Sequence, residues 1–153
     1  MGIAMLLHVV SVVVWVGGMF FAYMALRPVA ASQLEPAQRL RLWAGVFARF
    51  FPWVWAAVVL ILATGLWMVL AVFGGFGPAG LHIDLMLGIG IAMMLIFFHV
   101  FFAAYKRLRQ ALATEDWQTG GKALGQIRML IGINLVLGLV TTAIASGGRF
   151  LLI

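Results

Sequence analysis

The sequence predicts an all-α integral membrane protein, a four-helix bundle with both termini on the periplasmic side. Hydrophobic residues make up 65% of the 153 residues, and charged residues make up only 9%, which is far from the average soluble domain. The mean hydropathy is +1.15. Four stretches contain the roughly 20 mostly apolar residues that one membrane span requires. A single transmembrane domain, residues 1–153, accounts for the chain.

The first predicted span begins almost at Met1 and is expected to remain in the protein as a helix. Its apolar run continues to Ala25, which is too long for the core of a cleaved signal peptide. The other three spans are separated from it and from each other by short loops with basic or turn-forming residues. The predicted spans cover about residues 3–26, 46–73, 81–105 and 129–152.

Two of the connecting segments also have recognisable patterns. Segment 27–45 contains Ser32 followed by Glu35 and Pro36, a typical helix start, which predicts an interfacial helix leading into the second span. After the third span, the sequence KRLRQALA predicts an extension into water. Thr119, Gly120 and Gly121 then predict the turn back toward the membrane.

The distribution of basic residues predicts the orientation in the membrane. Of the ten Lys and Arg residues, all but Arg149 lie in or beside the two segments that follow the first and third spans. Positive charge favours the cytoplasmic side, so both segments are predicted to be cytoplasmic, while the termini and the loop GGFGPAG face the periplasm. The net charge of +6 is therefore explained by topology in a bacterial inner membrane, and no nucleic-acid partner is expected.

A short sequence similarity between the first and third spans suggests a duplicated helix hairpin. The sequence FFAY occupies Phe20 to Tyr23, and FFAAY occupies Phe101 to Tyr105. Aromatic residues are also common near membrane interfaces, so the similarity has an alternative explanation that needs no duplication.

Composition limits the chemistry that the chain can perform. The absence of cysteine excludes disulfides, iron–sulfur clusters and thiolate metal sites, and leaves imidazole, thioether, carboxylate and amide groups as ligands. The sequence contains no nucleophile elbow, phosphate-binding loop or paired catalytic carboxylates, so it gives no support for a hydrolase or a kinase.

Three histidines lie in or at the end of hydrophobic stretches, where an imidazole is costly unless it is paired, hydrated or bound to a metal. His8 and His82 both lie near the outer end of their helices, and we expect that they can meet. His99 is 17 residues from His82, roughly 25 Å along the same helix, so it must serve the cytoplasmic half. One site cannot use all three.

Helical periodicity groups the polar and small residues of each span on one face, which we expect to point into the bundle. For the glycines and threonines, ordinary close packing of membrane helices is the preferred explanation. The faces are His8, Ser11, Trp15, Gly18 and Ala22; Arg49, Trp53, Ala56, Ala63 and Trp67; Asp84, Gly88, Ile91, Leu95 and His99; and Asn134, Gly138, Thr141, Ala145 and Gly148.

Haem b is the first cofactor that this pattern suggests, because two axial histidines on facing helices are a recurring way to hold haem in a bundle. His8 and His82 would form an outer pair, with Trp15 on the face of His8. His99 would belong to an inner haem or quinone site. Its expected neighbours are Asn134, Arg49 and Arg128, and either arginine can pair with a propionate or a quinone oxygen.

Copper is the competing ligand. His82 and Asp84 lie two residues apart at the outer surface, and with His8 and the terminal amine they offer acceptable Cu(II) ligands. Thioethers would suit Cu(I), although methionine is more often an apolar filler. The candidate thioethers belong to Met1, Met5, Met93 and Met94.

Three segments resemble the copper resistance protein D (CopD) family and the related HemJ-type protoporphyrinogen oxidases. They are LLHVVSVVVWVGGMFF at Leu6 to Phe21, GLHIDL with FFHVFF around His82 and His99, and RMLIGINLVLGL at Arg128 to Leu139. The resemblance implies a four-helix inner-membrane bundle, with haem b in the HemJ branch and a copper role in the CopD branch. It makes His8 the best candidate axial ligand.

One departure from the HemJ pattern concerns the third helix. HemJ-type proteins have a functionally important lysine where this chain has Asp84, so the resemblance does not predict protoporphyrinogen oxidation. An anion beside His82 instead favours a metal-binding outer site.

The expected function is a haem b redox protein that transfers electrons between a membrane donor such as quinol and an acceptor. Copper binding or transport is the alternative, and a cofactor-free structural subunit is a third. Enzymatic activity is left open, with membrane oxidoreductase as the class to test. The expected partners are the lipid bilayer, a quinone or small redox partner, and a second copy in a homodimer.

Overall fold

Four long helices make up the computed structural model of the chain. The structure describes residues 1–75 and 80–151, with side chains as far as Gly147. Each helix is long and apolar enough to cross a membrane, so the chain is a multi-pass, all-helical membrane protein over these residues. The central part of the loop GGFGPAG, the surroundings of Gly148 and the side chain of Arg149 lie outside the described part. The helices are α1 (Gly2–Gln33), α2 (Pro36–Ala71), α3 (Leu81–Ala113) and α4 (Trp117–Leu151).

Two of the helices widen into π-helical turns toward the end of the bundle that carries the α1–α2 and α3–α4 turns. The turns cover Ala22–Leu26 in α1 and Val100–Tyr105 in α3. They coincide with the FFAY and FFAAY sequences, and each is followed by an arginine whose guanidinium lies over the ring of the tyrosine in that motif. The sequence similarity therefore corresponds to a shared local structure, of a kind that often occurs at functional sites.

At the α1–α2 and α3–α4 turns, the helices extend further than the predicted spans. Only Leu34 and Glu35 separate α1 from α2, so segment 27–45 belongs to these two helices and forms no separate one. Glu35 caps α2 through a capping box with Gln38, and Pro36 occupies the first turn, where its missing N–H costs nothing. A helix does start within the predicted Ser32–Pro36 segment and continues into the second span. Its cap is Glu35 rather than Ser32, because the Ser32 hydroxyl donates to the carbonyl of Val29 within α1.

The turn between α3 and α4 also comes earlier than the predicted Thr119, Gly120 and Gly121. Glu115 adopts a left-handed φ of 53°, and the carboxylate of Asp116 accepts a hydrogen bond from the backbone N–H of Thr119 (3.0 Å). An aspartate cap thus starts the helix before the glycines. A Cβ on Gly120 would lie 3.0 Å from Leu40 Cδ1, so this glycine serves close helix packing.

The helices pack as two antiparallel pairs, α1 with α2 and α3 with α4, and α4 also contacts both helices of the first pair. The backbones of α2 and α3 approach each other mainly at the segment Lys106–Ala113 near the end of α3. Further out, aromatic rings fill the space between them. Trp55, for example, stacks on Phe98 and meets the edge of Phe97, with ring centroids 5.2 and 5.3 Å apart.

Two of the four predicted inward faces are wrong. The α1 face is confirmed, since Ser11 and Trp15 are buried, and in α4 Asn134 and Gly138 are buried too. The predicted faces of α2 and α3 point outward instead. In a bilayer the surroundings are as apolar as the core, so polarity does not determine which face is buried. In α2 and α3 the buried positions include the rings of Phe51 and Phe97, which pack against each other. The exposed residues are Arg49, Trp53, Ala56, Ala63 and Trp67 in α2, and Asp84, Gly88, Ile91, Leu95 and His99 in α3.

Candidate functional site

His8 is half-buried between α1 and α2, and its ring hydrogen-bonds the side chain of Thr64 on α2. Nδ1 of His8 lies 2.9 Å from the hydroxyl oxygen of Thr64. That hydroxyl donates its proton to the carbonyl of Leu60, at 2.5 Å. A hydroxyl has a single proton to donate, so toward the histidine it must act as an acceptor. The proton of the neutral ring is thereby assigned to Nδ1, and Nε2 carries a free lone pair.

The backbone of α2 also shapes this position. A Cβ on Gly65 would lie 3.3 Å from Cε1 of His8, so the imidazole lies directly against the helix. Neither Thr64 nor Gly65 was among the candidates drawn from the sequence. Thr64 is the only hydroxyl residue in the predicted second span, and this isolation is the signal that could have identified it.

Two methionines lie one turn further out from the pair of His8 and Thr64. Met5 is three residues before His8 on α1, and Met68 is four residues after Thr64 on α2. Both are therefore displaced toward the end of the antiparallel pair that carries the N-terminus, which is the predicted periplasmic end. Met68 is buried and Met5 is exposed. Met5 was a predicted thioether ligand, whereas Met68 was missed because methionine spacing alone looks like packing.

The predicted outer partners of His8 are not gathered with it into a larger ligand group. Within residues 1–75 and 80–147, the structure has no group of three or more His, Cys, Asp or Glu side chains suited to a metal. The His82 ring lies against Gly80, where a Cβ would be 3.2 Å from it, and Asp84 is exposed in the first turn of α3. Ligation by His82 and Asp84 stays a prediction.

His99 lies on the exposed surface shared by α3 and α4. Its Nε2 accepts a hydrogen bond from the side-chain amide of Gln126, at 3.2 Å. Asn134, one of its expected neighbours, is buried, and Arg49 is exposed on α2. An inner haem or quinone site that includes His99 and Arg49 therefore stays a prediction.

Asn134 and Trp15 do come together, at a small cavity in the middle of the bundle. The cavity has a volume of about 20 Å³, and Phe51 and Phe97 complete its aromatic wall. Asn134 donates to the carbonyl of Met93 (3.1 Å), while its Oδ1 is buried without a partner among the described residues. This space suits one water molecule and is far too small for a macrocycle.

A much larger groove of about 560 Å³ opens between α1, α2 and α4. It lies at the end of the bundle that carries the α1–α2 and α3–α4 turns, which the sequence predicts to be cytoplasmic. Arg27, Arg39 and Arg128 line it, and the residues around them are mainly aromatic or small. No histidine contributes to its wall. Its volume lies within the range of ligand sites, and its side-chain chemistry is that of an anion site.

One protein-family model matches this chain. Its description is copper resistance protein D, and the match covers residues 44–147, which include Thr64, Met68, His82 and His99. His8 lies before the matched region. No curated protein and no solved structure gives a significant match.

Proposed function

The chain belongs to the copper resistance protein D family, and we propose that it binds copper within the membrane, at the outer end of the α1–α2 pair. The relation to HemJ-type proteins stays a prediction. One observation supports the proposal above all others. The Thr64 hydroxyl accepts a hydrogen bond from Nδ1–H of His8, so Nε2 is unprotonated and its lone pair is available to a metal. A metal-binding histidine is characteristically oriented in this way, with its second nitrogen bonded to a neighbouring oxygen.

The methionines one turn further out favour Cu(I). Thioether and imidazole are ligands that Cu(I) accepts, and the chain has no cysteine to compete with them. Met68 Sδ on α2 and Met5 Sδ on α1 are the proposed companions of His8 Nε2. The copper ion in this proposal is the cargo or bound ligand of the protein, taken up from the periplasmic side of the inner membrane.

Haem b is the second candidate, and the solitary position of His8 favours it. A porphyrin brings its own four nitrogen ligands, so a single protein imidazole is sufficient on one face. The described residues, however, enclose no macrocycle-sized cavity beside His8. A haem would have to lie on the outer surface of the helix pair or between two copies of the chain. Electron transfer from quinol belongs to this candidate.

A copper titration tests the first proposal. The purified protein, in detergent, competes for Cu(I) with a colorimetric chelator under reducing conditions. We expect stoichiometric binding that weakens roughly tenfold or more in His8→Ala and also in Met68→Leu, which keeps the volume of the buried side chain. His99→Ala and Met129→Leu are the matched controls. Both change exposed residues outside the site, and both should bind like the wild type.

The outcome that overturns the copper proposal is unchanged affinity in His8→Ala. Haem addition to the same preparations separates the second candidate. A Soret band that shifts on reduction and is lost in His8→Ala, but not in His99→Ala, would assign haem to this position. This result would be independent of whether the protein binds copper.

A further inference from the structure

We infer that the cytoplasmic groove binds the headgroup of an anionic phospholipid from the inner leaflet. This binding site is separate from the position of His8, which lies near the other end of the helices. Basic pockets between transmembrane helices on the cytoplasmic side are suited to such headgroups. The charge of the groove, its shape and its depth in the membrane all favour such a ligand.

The charge of the groove is uncompensated by protein groups. Within residues 1–75 and 80–147, the only ion pair joins Arg41 and Glu115, at 3.7 Å, and neither residue lines the groove. Three arginines do, and no carboxylate side chain does. Guanidinium groups bind phosphate oxygens with directed hydrogen bonds. The arginines are Arg27, Arg39 and Arg128.

Local structure holds these cations in place and adds to their field. The guanidinium of Arg27 lies over the Tyr23 ring, 4.7 Å from its centroid, and this contact restrains a side chain that would otherwise be mobile. The first turns of α2 and α4 both contribute to the groove wall, through Pro36 and Trp117. The positive ends of two helix dipoles therefore border the same space.

The apolar part of the groove explains why the anion should be a lipid rather than a soluble ion. Trp43, Phe47 and Leu124 continue the wall toward the bundle, and they offer a surface for the glycerol and first acyl carbons of a lipid. A Cβ on Gly121 or Gly125 would meet no heavy atom within 4 Å, so these glycines leave the groove open. The groove lies at the cytoplasmic ends of the helices, at the depth where phosphates of the inner leaflet are found.

Thermal stabilisation and native mass spectrometry of the delipidated protein test this inference. The probes are phosphatidylglycerol, phosphatidylcholine and inorganic phosphate. We expect retained binding and an increase in the unfolding temperature with phosphatidylglycerol alone. Arg27→Gln and Arg128→Gln should each weaken this binding roughly fivefold, the effect of one basic residue near an anionic lipid. Gly125→Trp should abolish it by filling the groove while all three arginines remain.

Matched controls distinguish the groove from general surface charge. Arg49→Gln and Arg107→Gln remove exposed cations outside the groove and should leave lipid binding unchanged. Copper binding should persist in every groove variant, which shows that the variants are folded. Equal stabilisation by phosphatidylcholine, equal losses in the control variants, or full binding in Gly125→Trp would overturn the inference. Binding of inorganic phosphate alone would replace the lipid with a soluble anion and would also overturn it.

Discussion

A histidine ring inside a membrane has two nitrogens to satisfy, and at His8 the protein satisfies one of them. The hydroxyl of Thr64 donates to Leu60 and accepts from His8, so a main-chain carbonyl determines which nitrogen of the imidazole remains free. His99 differs, because its Nε2 already accepts from Gln126. This difference, which depends on individual hydrogen bonds, makes His8 the stronger ligand candidate.

Replacement of Thr64 by valine tests whether this pair of hydrogen bonds orients the His8 ring. Thr64→Val keeps the branched shape but removes the acceptor for Nδ1–H, so the ring loses its orientation. We expect Cu(I) affinity to fall about 10–100-fold, the usual effect of losing a partner that orients a metal ligand. Thr64→Ser, which retains the hydroxyl, should recover most of the loss. Competition with a Cu(I) chelator measures both.

Thr141→Val is the control for that experiment. The Thr141 hydroxyl bonds only to the carbonyl of Leu137 within its own helix, so the substitution makes the same chemical change away from His8. A comparable loss of copper affinity in Thr141→Val would show that the effect of Thr64→Val is not specific to the histidine.

Asp116, outside the spans, gives a prediction about pH. The backbone N–H of Thr119, followed by its side chain, hydrogen-bonds the carboxylate and lowers the pKa of Asp116 below its ordinary value. A lowered pKa means that this contribution to stability is fully present above the ordinary pKa, about 3.9. It is lost as the pH falls through the lower pKa of the folded state. The effect should be small because the carboxyl is exposed.

Unfolding of the detergent-solubilised protein between about pH 5 and pH 2 measures this contribution, since the interval spans the ordinary carboxyl pKa. The wild type should lose stability relative to Asp116→Asn across the lower part of that range, because asparagine caps the helix but does not titrate. A constant difference between the two proteins at every pH would contradict the prediction.

At the scale of whole elements, glycines in α4 and α1 bring the helices into close contact. A Cβ on Gly138 would lie 2.8 Å from Val16 Cγ2, and one on Gly132 would lie 3.1 Å from the Tyr23 ring. On α1, a Cβ on Gly18 would overlap the Phe50 ring. Small residues permit such approaches in membranes, where association depends on packing rather than on exclusion of water. The preferred explanation for these glycines, that they serve packing, agrees with their contacts.

Gly138→Ala should therefore destabilise the bundle. The added methyl group would press on Val16 and also lie 3.2 Å from Met93 Cε, and we expect a loss of about 1–3 kcal/mol in the free energy of unfolding, as for other overpacked cores. Gly45→Ala is the control, since its Cβ would meet open space, and it should be neutral or stabilising by up to about 1 kcal/mol. Denaturant unfolding in mixed micelles, followed by tryptophan fluorescence, compares the two variants.

At the scale of the whole molecule, the two ends of the helix bundle carry different groups of side chains. The end that carries the N-terminus contains His8 with the nearby methionines, and the end that carries the α1–α2 and α3–α4 turns contains the arginine-lined groove. The aromatic layer between α2 and α3 fills the space that separates these ends. Formation of a homodimer stays a prediction, as does the periplasmic position of the termini.

The orientation can be measured with single cysteines, because the chain contains none of its own. In intact spheroplasts, an impermeant maleimide should label Gly2→Cys but should label Ser32→Cys and Gln118→Cys only after the membrane is opened. All three positions are exposed. Labelling of Ser32→Cys and Gln118→Cys before lysis, with Gly2→Cys protected, would show the inverted orientation.

Several features of this protein were determined by the sequence alone. They are the four membrane spans, the membrane class, the family and the buried face of α1 with Ser11 and Trp15. Each depends on the composition or spacing of neighbouring residues, which is the information that a linear chain carries. The exact helix ends were predicted less well. In the sequence, a capping pair such as Glu35 with Gln38 looks like any other pair of polar residues, and its role is visible only in the folded main chain.

The tertiary structure alone decided which faces of α2 and α3 point inward, and it joined His8 to Thr64, 56 residues away in the chain. In water, polarity would have separated the faces, but in a bilayer both the core and the surroundings are apolar. Burial there follows the size and shape of side chains on different helices. That fit, as with Phe51 against Phe97 or Gly65 against His8, exists only once the helices are packed.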